Sequence, residues 1–284
     1  METQFTVPFT YNFDDALIRL AGDPVNHIHI DSKTVYIPTE ERNIVSLRSI
    51  GTAKNPKFHI KGFQDEDQLQ AIKEIFHLDR SLDHIHGHFQ TTDLQPIFSQ
   101  FQGMPLIRSY TLYGRLMKGI IHQQLNKAFA NTLTQRFVQQ FGEQKDDIWL
   151  YPLPEVVAEL SIDQLRALQF SERKASYVIG LSDAIAKGTL PLNALRTLTN
   201  DEVVEQLTRF KGIGPWTAQN FLLFGLGREN LFPVADVGLQ NALKNLWQMD
   251  RKPTIEEIEN HLPQWEPYLS YAALYLWKSI EMLK

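Results

Sequence analysis

The fold is constrained most by residues 207–236, which read LTRFKGIGPWTAQNFLLFGLGRENLFPVAD. Capping oxygens at 199–202 precede apolar residues at helical spacing, so a short helix should end near Arg209. Pro215 fits the first position of a second helix that should run to about Phe224. The pattern therefore predicts two short helices joined by a tight turn.

Two glycines form the turn between these helices. Gly212 and Gly214 bracket Ile213, which suits a hairpin with positive backbone angles. Glycine has no Cβ to block another molecule, and the amides at the start of the second helix can bind a phosphate without side-chain charge. The spacing indicates a helix-hairpin-helix over residues 201–225, and an ordinary corner of an all-α core is the alternative.

Asp236 stands at the start of a further helix, which should reach about Trp247. The apolar run at 231–234 should be buried, so it should fix the position of the carboxylate. That carboxylate can cap the helix, or it can act on a ligand that the hairpin holds.

The run KGIGPWTAQNFLLFGLGRENLFPVADVGLQNAL at 211–243 resembles the signature of the superfamily of helix-hairpin-helix DNA glycosylases, and most closely its alkylpurine (3-methyladenine) branch. Segments at 120–136 and 265–277 resemble the opening and closing parts of the same core. The resemblance covers about residues 110–284 and implies an all-α glycosylase core there.

The residues before this core show other patterns. Strand-like alternation at 27–31, 33–38, 44–50 and 57–60, together with a helix near 14–20, predicts a small antiparallel β domain at 1–63. A helical segment and junction follow at 64–109. The fold class is therefore α+β, mainly α. Within the core, a helix at 110–141 should be bent or split by the polar residues 122–126.

The resemblance implies an activity and a catalytic residue. Cleavage of an N-glycosidic bond passes through a positively charged sugar, which a nearby carboxylate stabilises, and Asp236 matches that carboxylate. Relatives that also cut the DNA strand carry a lysine at the position of Trp216. The chain should therefore be a monofunctional hydrolase that removes 3-methyladenine and 7-methylguanine from duplex DNA by base flipping, the first step of base excision repair.

The resemblance also implies two sets of binding residues. The damaged base should lie in a pocket lined by Trp216, Trp277, Tyr271, Tyr275 and Gln123. The DNA should contact Lys211, Gly212, Ile213, Gly214, Thr217, Gln124, Leu125, Arg173 and Lys174. Among these, Gln124 and Leu125 are candidates for the wedge that fills the hole left by the flipped base.

Three positions depart from the family pattern. Leu269 stands where an arginine is frequent, Lys278 where an aromatic residue can occur, and Asn220 where a tyrosine can occur. A pocket with fewer aromatic residues could change the preference among alkylated bases. A glycosylase for another damaged base and a non-catalytic DNA-binding protein therefore remain alternatives.

Composition limits the remaining possibilities. The 284 residues carry a net charge of −5 and contain no cysteine, which excludes disulfides, thiolate metal sites and a four-cysteine iron–sulfur cluster. We expect no cofactor and no catalytic metal, even though histidines stand at 84, 86 and 88. We expect a cytoplasmic monomer that binds damaged double-stranded DNA, with no membrane segment and no obligate protein partner.

Overall fold

A small antiparallel sheet precedes a mainly helical body in this computed structural model, which describes residues 1–281. The sheet has the strand order β1-β5-β4-β3-β2, and all neighbouring strands are antiparallel. Its elements are β1 (Glu2–Thr6), α1 (Phe13–Ala21), β2 (His27–His29), β3 (Thr34–Pro38), β4 (Ile44–Ser49) and β5 (Lys57–Lys61).

The predicted fold class, α+β and mainly α, is confirmed. Four of the five strands lie where alternation predicted them. Strand β1 was not predicted, because only every second residue of this edge strand is half-buried. It is held by pairing with β5, in a register that places Phe5 opposite Phe58.

The helices of the body begin immediately after the sheet. Those before the hairpin motif are α2 (Glu66–Ile75), α3 (Leu82–Phe89), α4 (Gln95–Gln100), α5 (Leu112–Ile121), α6 (Lys127–Phe141), α7 (Pro154–Ala158), α8 (Ile162–Ala167) and α9 (Glu172–Ala186). Those from the motif onward are α10 (Asn200–Thr208), α11 (Pro215–Phe221), α12 (Val237–Leu246), α13 (Ile255–Glu259) and α14 (Leu269–Glu281).

The predicted all-α core contains a short β-hairpin as well, which corrects that part of the prediction. Strands β6 (Glu143–Lys145) and β7 (Ile148–Leu150) pair in an antiparallel manner after α6. Arg42, in the N-terminal sheet region, donates to Glu143 at 2.6 Å and to the carbonyl of Tyr151 at 3.2 Å. The hairpin therefore fastens the sheet to the helical body.

The break predicted between α5 and α6 is present. Helix α5 ends at Ile121, and Asn126 caps α6 by accepting a hydrogen bond from the amide of Phe129 at 2.9 Å. Between the helices, exposed Gln124 has a φ of +55°, a left-handed conformation that few residues other than glycine adopt. The polar segment therefore forms a tight turn at the surface.

One hydrophobic core joins the sheet to α2, α3, α4, α12 and α14, and a second lies among α5 to α11. Every residue from Leu269 to Leu276 of α14 is buried, so this helix is enclosed on all sides at its start. The boundaries at 63 and 109 stay predictions. Within residues 1–281, no helix combines the length and the apolar character needed to cross a lipid bilayer.

Candidate active site

The hairpin joins α10 to α11, and its two glycines have different surroundings. Gly212 has a φ of +92°, and a Cβ added there would lie 2.4 Å from Cδ2 of Tyr177. Gly214 has a φ of −95°, and no atom lies within 4 Å of the position of its Cβ. Packing inside the protein therefore requires glycine at position 212. At position 214, a Cβ would lie in open space and would contact no protein atom.

The start of α11 offers unused hydrogen-bond donors. Among residues 1–281, the backbone N–H groups of Gly214, Trp216 and Thr217 donate to no protein acceptor. The positive end of the helix dipole lies at the same point. Lys211 is exposed beside the turn, and the side chain of Ile213 is buried beneath it. The arrangement has the features of an anion-binding helix N-terminus.

Two residues that are predicted to contact base or DNA also hold the hairpin in place. The amide nitrogen of Gln123 donates to the carbonyl of Gly212 at 2.7 Å and to the hydroxyl of Thr217 at 3.0 Å. Thr217 is buried. Both side chains are thus used inside the protein, and the roles of Gln123 in the base pocket and of Thr217 in DNA binding stay predictions.

Helix α9 offers a second N-terminus near the hairpin. Ser171 caps it, and Arg173 is exposed there, with its guanidinium over the ring of Tyr177. Lys174 donates to the carbonyl of Ile121 at 2.6 Å, so it caps the end of α5. Burial lowers the pKa of Lys174. Lys174 therefore caps α5, and the DNA contacts of Lys174 and Arg173 stay predictions.

Asp236 is held at the start of α12 by hydrogen bonds to one of its two oxygens. Oδ1 accepts from the backbone N–H of Leu239 and from the indole N–H of Trp277, each at 2.9 Å. Oδ2 has a longer contact with the indole N–H of Trp216, at 3.4 Å. Trp216 is 47% exposed. One carboxylate oxygen is thus fixed, and the other is free to act on a ligand.

Gly238 makes room for this carboxylate, and sequence reasoning missed it. A Cβ at Gly238 would lie 2.9 Å from Oδ1 of Asp236 and 3.3 Å from the indole nitrogen of Trp277. A side chain there would therefore push the two partners apart. The signal was visible in the sequence as a glycine two residues after the aspartate, inside a predicted helix.

A cleft of about 1110 Å³ opens beside Asp236, Trp216 and Trp277. Its walls include residues of α1, α5 and α14, so the N-terminal region contributes directly to the site. Arg19 from α1 and Arg115 from α5 are the most notable of these contributions. Sequence reasoning did not find either residue, because nothing local in the sequence shows that α1 reaches the hairpin helices.

Tyr271 and Tyr275 are not part of this cleft, and their assignment to the base pocket is wrong. Tyr271 is fully buried, and its hydroxyl lies 2.5 Å from Nδ1 of His77. The hydroxyl of Tyr275 binds the backbone N–H and carbonyl of Met104, and its ring stacks on Phe98 at 3.8 Å. Both rings face the core because α14 is enclosed by protein there.

The three departures from the family pattern have structural roles. Asn220 accepts a hydrogen bond from Arg115 at 2.9 Å and donates to the carbonyl of Trp216 at 3.1 Å. Lys278 forms an ion pair with Asp15 at 2.9 Å, which ties α14 to α1. Leu269 is buried in the core.

No group of three or more histidine and carboxylate side chains in the described part of the chain could hold a metal ion. Of the histidines at 84, 86 and 88, His88 contacts the carbonyl of Gln264 at 3.2 Å. The cleft is lined by carboxylates, aromatic rings and cationic side chains.

Residues 117–267 match the family model described as the HhH-GPD superfamily base excision DNA repair protein. This range includes the hairpin and Asp236. The chain belongs to this superfamily. Among its relatives, the Bacillus subtilis protein YfjP, whose name provisionally assigns it as a DNA-3-methyladenine glycosylase, is 48% identical over 276 residues. That match covers 95% of this chain and 96% of YfjP.

Two further comparisons agree with the family. The DNA-3-methyladenine glycosylase of Bacillus subtilis is 32% identical over 77% of this chain and 74% of its own length. The structure of the 3-methyladenine DNA glycosylase from Archaeoglobus fulgidus has a TM-score of 0.82, with 20% identity and 99% coverage of both chains. The chain is thus a member of the 3-methyladenine DNA glycosylase family, and its fold extends over the whole of that archaeal structure.

Proposed function

We propose that this chain is a monofunctional DNA glycosylase that hydrolyses the N-glycosidic bond of alkylated purines, including 3-methyladenine and 7-methylguanine, in duplex DNA. The observation that carries the proposal is the position of Asp236, whose fixed carboxylate stands between two tryptophans at the edge of a cleft. The names of the relatives support the same substrate class.

Asp236 is proposed to act on the sugar of the damaged nucleotide. Its Oδ1 is occupied by the N–H groups of Leu239 and Trp277, so Oδ2 is the oxygen that faces the reacting carbon. As the bond to the base breaks, the sugar gains positive charge, and a carboxylate within a few ångströms lowers the energy of that state. The same oxygen orients the water that completes hydrolysis.

The base is proposed to leave from a position beside the rings of Trp216 and Trp277. Alkylation at a ring nitrogen makes a purine cationic, so the electron-rich face of an indole attracts it and no strong general acid is needed. Trp216 exposes nearly half of its surface and can therefore stack on an incoming base. Trp277 keeps its ring fixed because it also holds Asp236.

The flipped nucleotide needs support on both sides. The free N–H groups at Gly214, Trp216 and Thr217 are proposed to bind a phosphate of the damaged strand. Gln124 and Leu125, on the turn before α6, are proposed as the wedge that fills the vacated space. Gln124 is exposed and Leu125 half-buried, so the turn can enter the DNA without loss of the core.

The absence of strand cleavage is proposed from the indole at position 216, where a lyase would need an amine. Treatment with borohydride in the presence of lesion-containing DNA should therefore trap no covalent complex. A trapped complex would show that another amine of the chain attacks the sugar. We further propose that the protein acts as a monomer in the cytoplasm.

The decisive experiment measures release of 3-methyladenine and 7-methylguanine from methylated duplex DNA by the wild type and by Asp236→Asn. A matched control is Asp65→Asn, because Asp65 also caps a helix, accepting from the N–H of Gln68 at 2.8 Å on the exposed start of α2. We expect release by the wild type and by Asp65→Asn, and loss of release with retained DNA binding in Asp236→Asn.

Two results would contradict the proposal. If the wild type binds DNA and releases no methylated base, the substrate class is wrong, and other damaged bases or a purely binding role take its place. If Asp236→Asn remains active while folded, the carboxylate is a helix cap and not the catalytic group. Thermal unfolding of each variant establishes that it is folded.

A further inference from the structure

Two arginine side chains lie over one phenylalanine ring in the cleft. The guanidinium carbons of Arg19 and Arg115 are 4.7 Å and 5.1 Å from the ring centroid of Phe224. The same ring is 6.0 Å from that of Trp277, the residue that holds Asp236. Phe224 therefore connects the two guanidinium groups to the candidate catalytic centre.

A second series of contacts leads from Arg115 to the other side of the carboxylate. Arg115 donates to the side-chain oxygen of Asn220 at 2.9 Å, and Asn220 donates to the carbonyl of Trp216 at 3.1 Å. Trp216 and Trp277 both reach Asp236. The route through Phe224 includes both arginines and the route through Asn220 only Arg115, and both lead to Asp236.

These two charges are not neutralised by ion pairs, in contrast to their neighbours. Lys278 pairs with Asp15 and Lys118 with Asp23, whereas no ion pair of Arg19 or Arg115 exists among the residues that the structure describes. Glu281 attracts Arg19 from a greater distance. Desolvation of the guanidinium groups lowers the pKa of both arginines to about 10, even though Arg19 as a residue is exposed, so both remain charged at neutral pH.

The pair also has unused hydrogen-bond donors. Within the described chain, the side chain of Arg19 donates to no protein acceptor, and Arg115 donates only to Asn220. Tyr110 lines the same cleft, and its buried hydroxyl has no partner there. Burial raises the pKa of Tyr110, so it stays protonated and can donate too. The arginine pair and Tyr110 therefore present unused donors and positive charge to a cleft whose walls also carry the carboxylates of Asp15, Asp23, Glu40, Asp236 and Glu281.

We propose that Arg19 and Arg115 form a carbonyl-recognition subsite, which selects purine lesions that carry an exocyclic oxygen over lesions that lack one. This proposal rests on the glycosylase function proposed above. A carbonyl oxygen can accept charge-assisted hydrogen bonds from the guanidinium groups. A cationic base without that oxygen brings a third positive charge close to two others and receives no hydrogen bond in return.

Three lesions separate the two effects. 3-Methyladenine is cationic and has no carbonyl oxygen, 7-methylguanine is cationic and has one, and hypoxanthine is neutral and has one. We expect the wild type to release hypoxanthine as well as the methylated bases. We expect Arg19→Gln to lower the ratio of kcat/KM for hypoxanthine to kcat/KM for 3-methyladenine by at least about tenfold. The change in kcat/KM for 7-methylguanine should lie between the changes for the other two bases.

Arg19 is the better position for the test, since its side chain makes no hydrogen bond whose loss would disturb the fold. Arg19→Lys retains the charge but loses the planar donor pair, so it should recover only part of the ratio. The matched control is Lys73→Gln, which removes a cation 4.9 Å from the ring of Phe5, away from the cleft. This control should leave the ratio unchanged.

The outcomes distinguish this proposal from the function on which it rests. If the wild type releases none of the three bases, the glycosylase function fails, and the subsite fails with it. If it releases 3-methyladenine but not hypoxanthine, or if Arg19→Gln lowers all three activities equally, the function stands and the subsite is refuted. Equal loss would mean that Arg19 only maintains the shape of the cleft.

Discussion

Replacement of each hairpin glycine by alanine separates binding from folding. At position 214, the added methyl group meets no protein atom, and the backbone is in a region open to alanine. The methyl group would, however, enter the space where a phosphate approaches the free amides. Loss of one charge-assisted hydrogen bond costs about 1.5 to 3 kcal/mol, so the Kd for DNA should rise about 10- to 150-fold.

At position 212 the same substitution should affect stability instead. The methyl group would lie 2.4 Å from Tyr177, and alanine would have to adopt a φ of +92°. Left-handed backbone costs about 1 to 2 kcal/mol and overpacking about 1 to 3 kcal/mol. Gly212→Ala should therefore lose about 2 to 5 kcal/mol of stability, whereas Gly214→Ala should lose about 1 kcal/mol or less through poorer helix capping.

Two measurements test this contrast. Fluorescence anisotropy with a labelled duplex at fixed salt gives the Kd, and thermal denaturation gives the change in stability. If folded Gly214→Ala binds DNA as tightly as the wild type, the hairpin does not hold a phosphate. If the two variants lose equal stability, the distinction between the two glycines is wrong.

Three further predictions concern the cleft and the segments beside it. Trp277→Phe keeps an aromatic ring but removes the N–H that fixes Asp236. The kcat should therefore fall about tenfold with little change in KM. An unchanged kcat would contradict the role assigned to Trp277. Lys278→Met removes the ion-pair partner of the mostly buried Asp15, to which Asn12 still donates at 2.7 Å. The loss should cost about 2 kcal/mol in denaturant unfolding, part of which Asp15→Asn should restore in the double variant. Burial lowers the pKa of His122 in the folded protein to about 4. As the pH falls, the unfolded chain therefore binds a proton at this histidine before the folded protein does. The free energy of unfolding should fall by up to about 3 kcal/mol from about pH 6.5 to pH 4. Thermal denaturation across this range should show a flatter profile for His122→Gln, and identical profiles would exclude this histidine as the cause.

The hairpin and Asp236 could be predicted from the sequence because their signals are local. Glycine and proline fix the turn, and a carboxylate before an apolar helix fixes the cap. The split between α5 and α6 was equally visible, since polar residues interrupt a helical pattern there. These features depend on neighbours within a few positions, and the structure places the turn, the cap and the split as expected. Two details differ: only Gly212 has a positive φ, and the second hairpin helix ends at Phe221 and not near Phe224.

The errors arose where distant contacts decide the outcome. An apolar helix such as α14 does not reveal which of its faces meets the cleft, so Tyr271 and Tyr275 were assigned to the wrong side. Gln123 and Lys174 are polar, and only the fold shows that each also has a partner inside the protein. Arg19 was missed because its role depends on packing between regions far apart in sequence.

The ion pair between Asp15 and Lys278 joins residues 263 positions apart. During synthesis, the sheet and the hairpin helices leave the ribosome well before α14, which carries Trp277. The carboxylate of Asp236 is thus without its indole partner, and α1 without its C-terminal contact, until the last helix docks. Assembly of the cleft is therefore a late event in folding, and a nascent chain that already presents its hairpin has no finished pocket for a base.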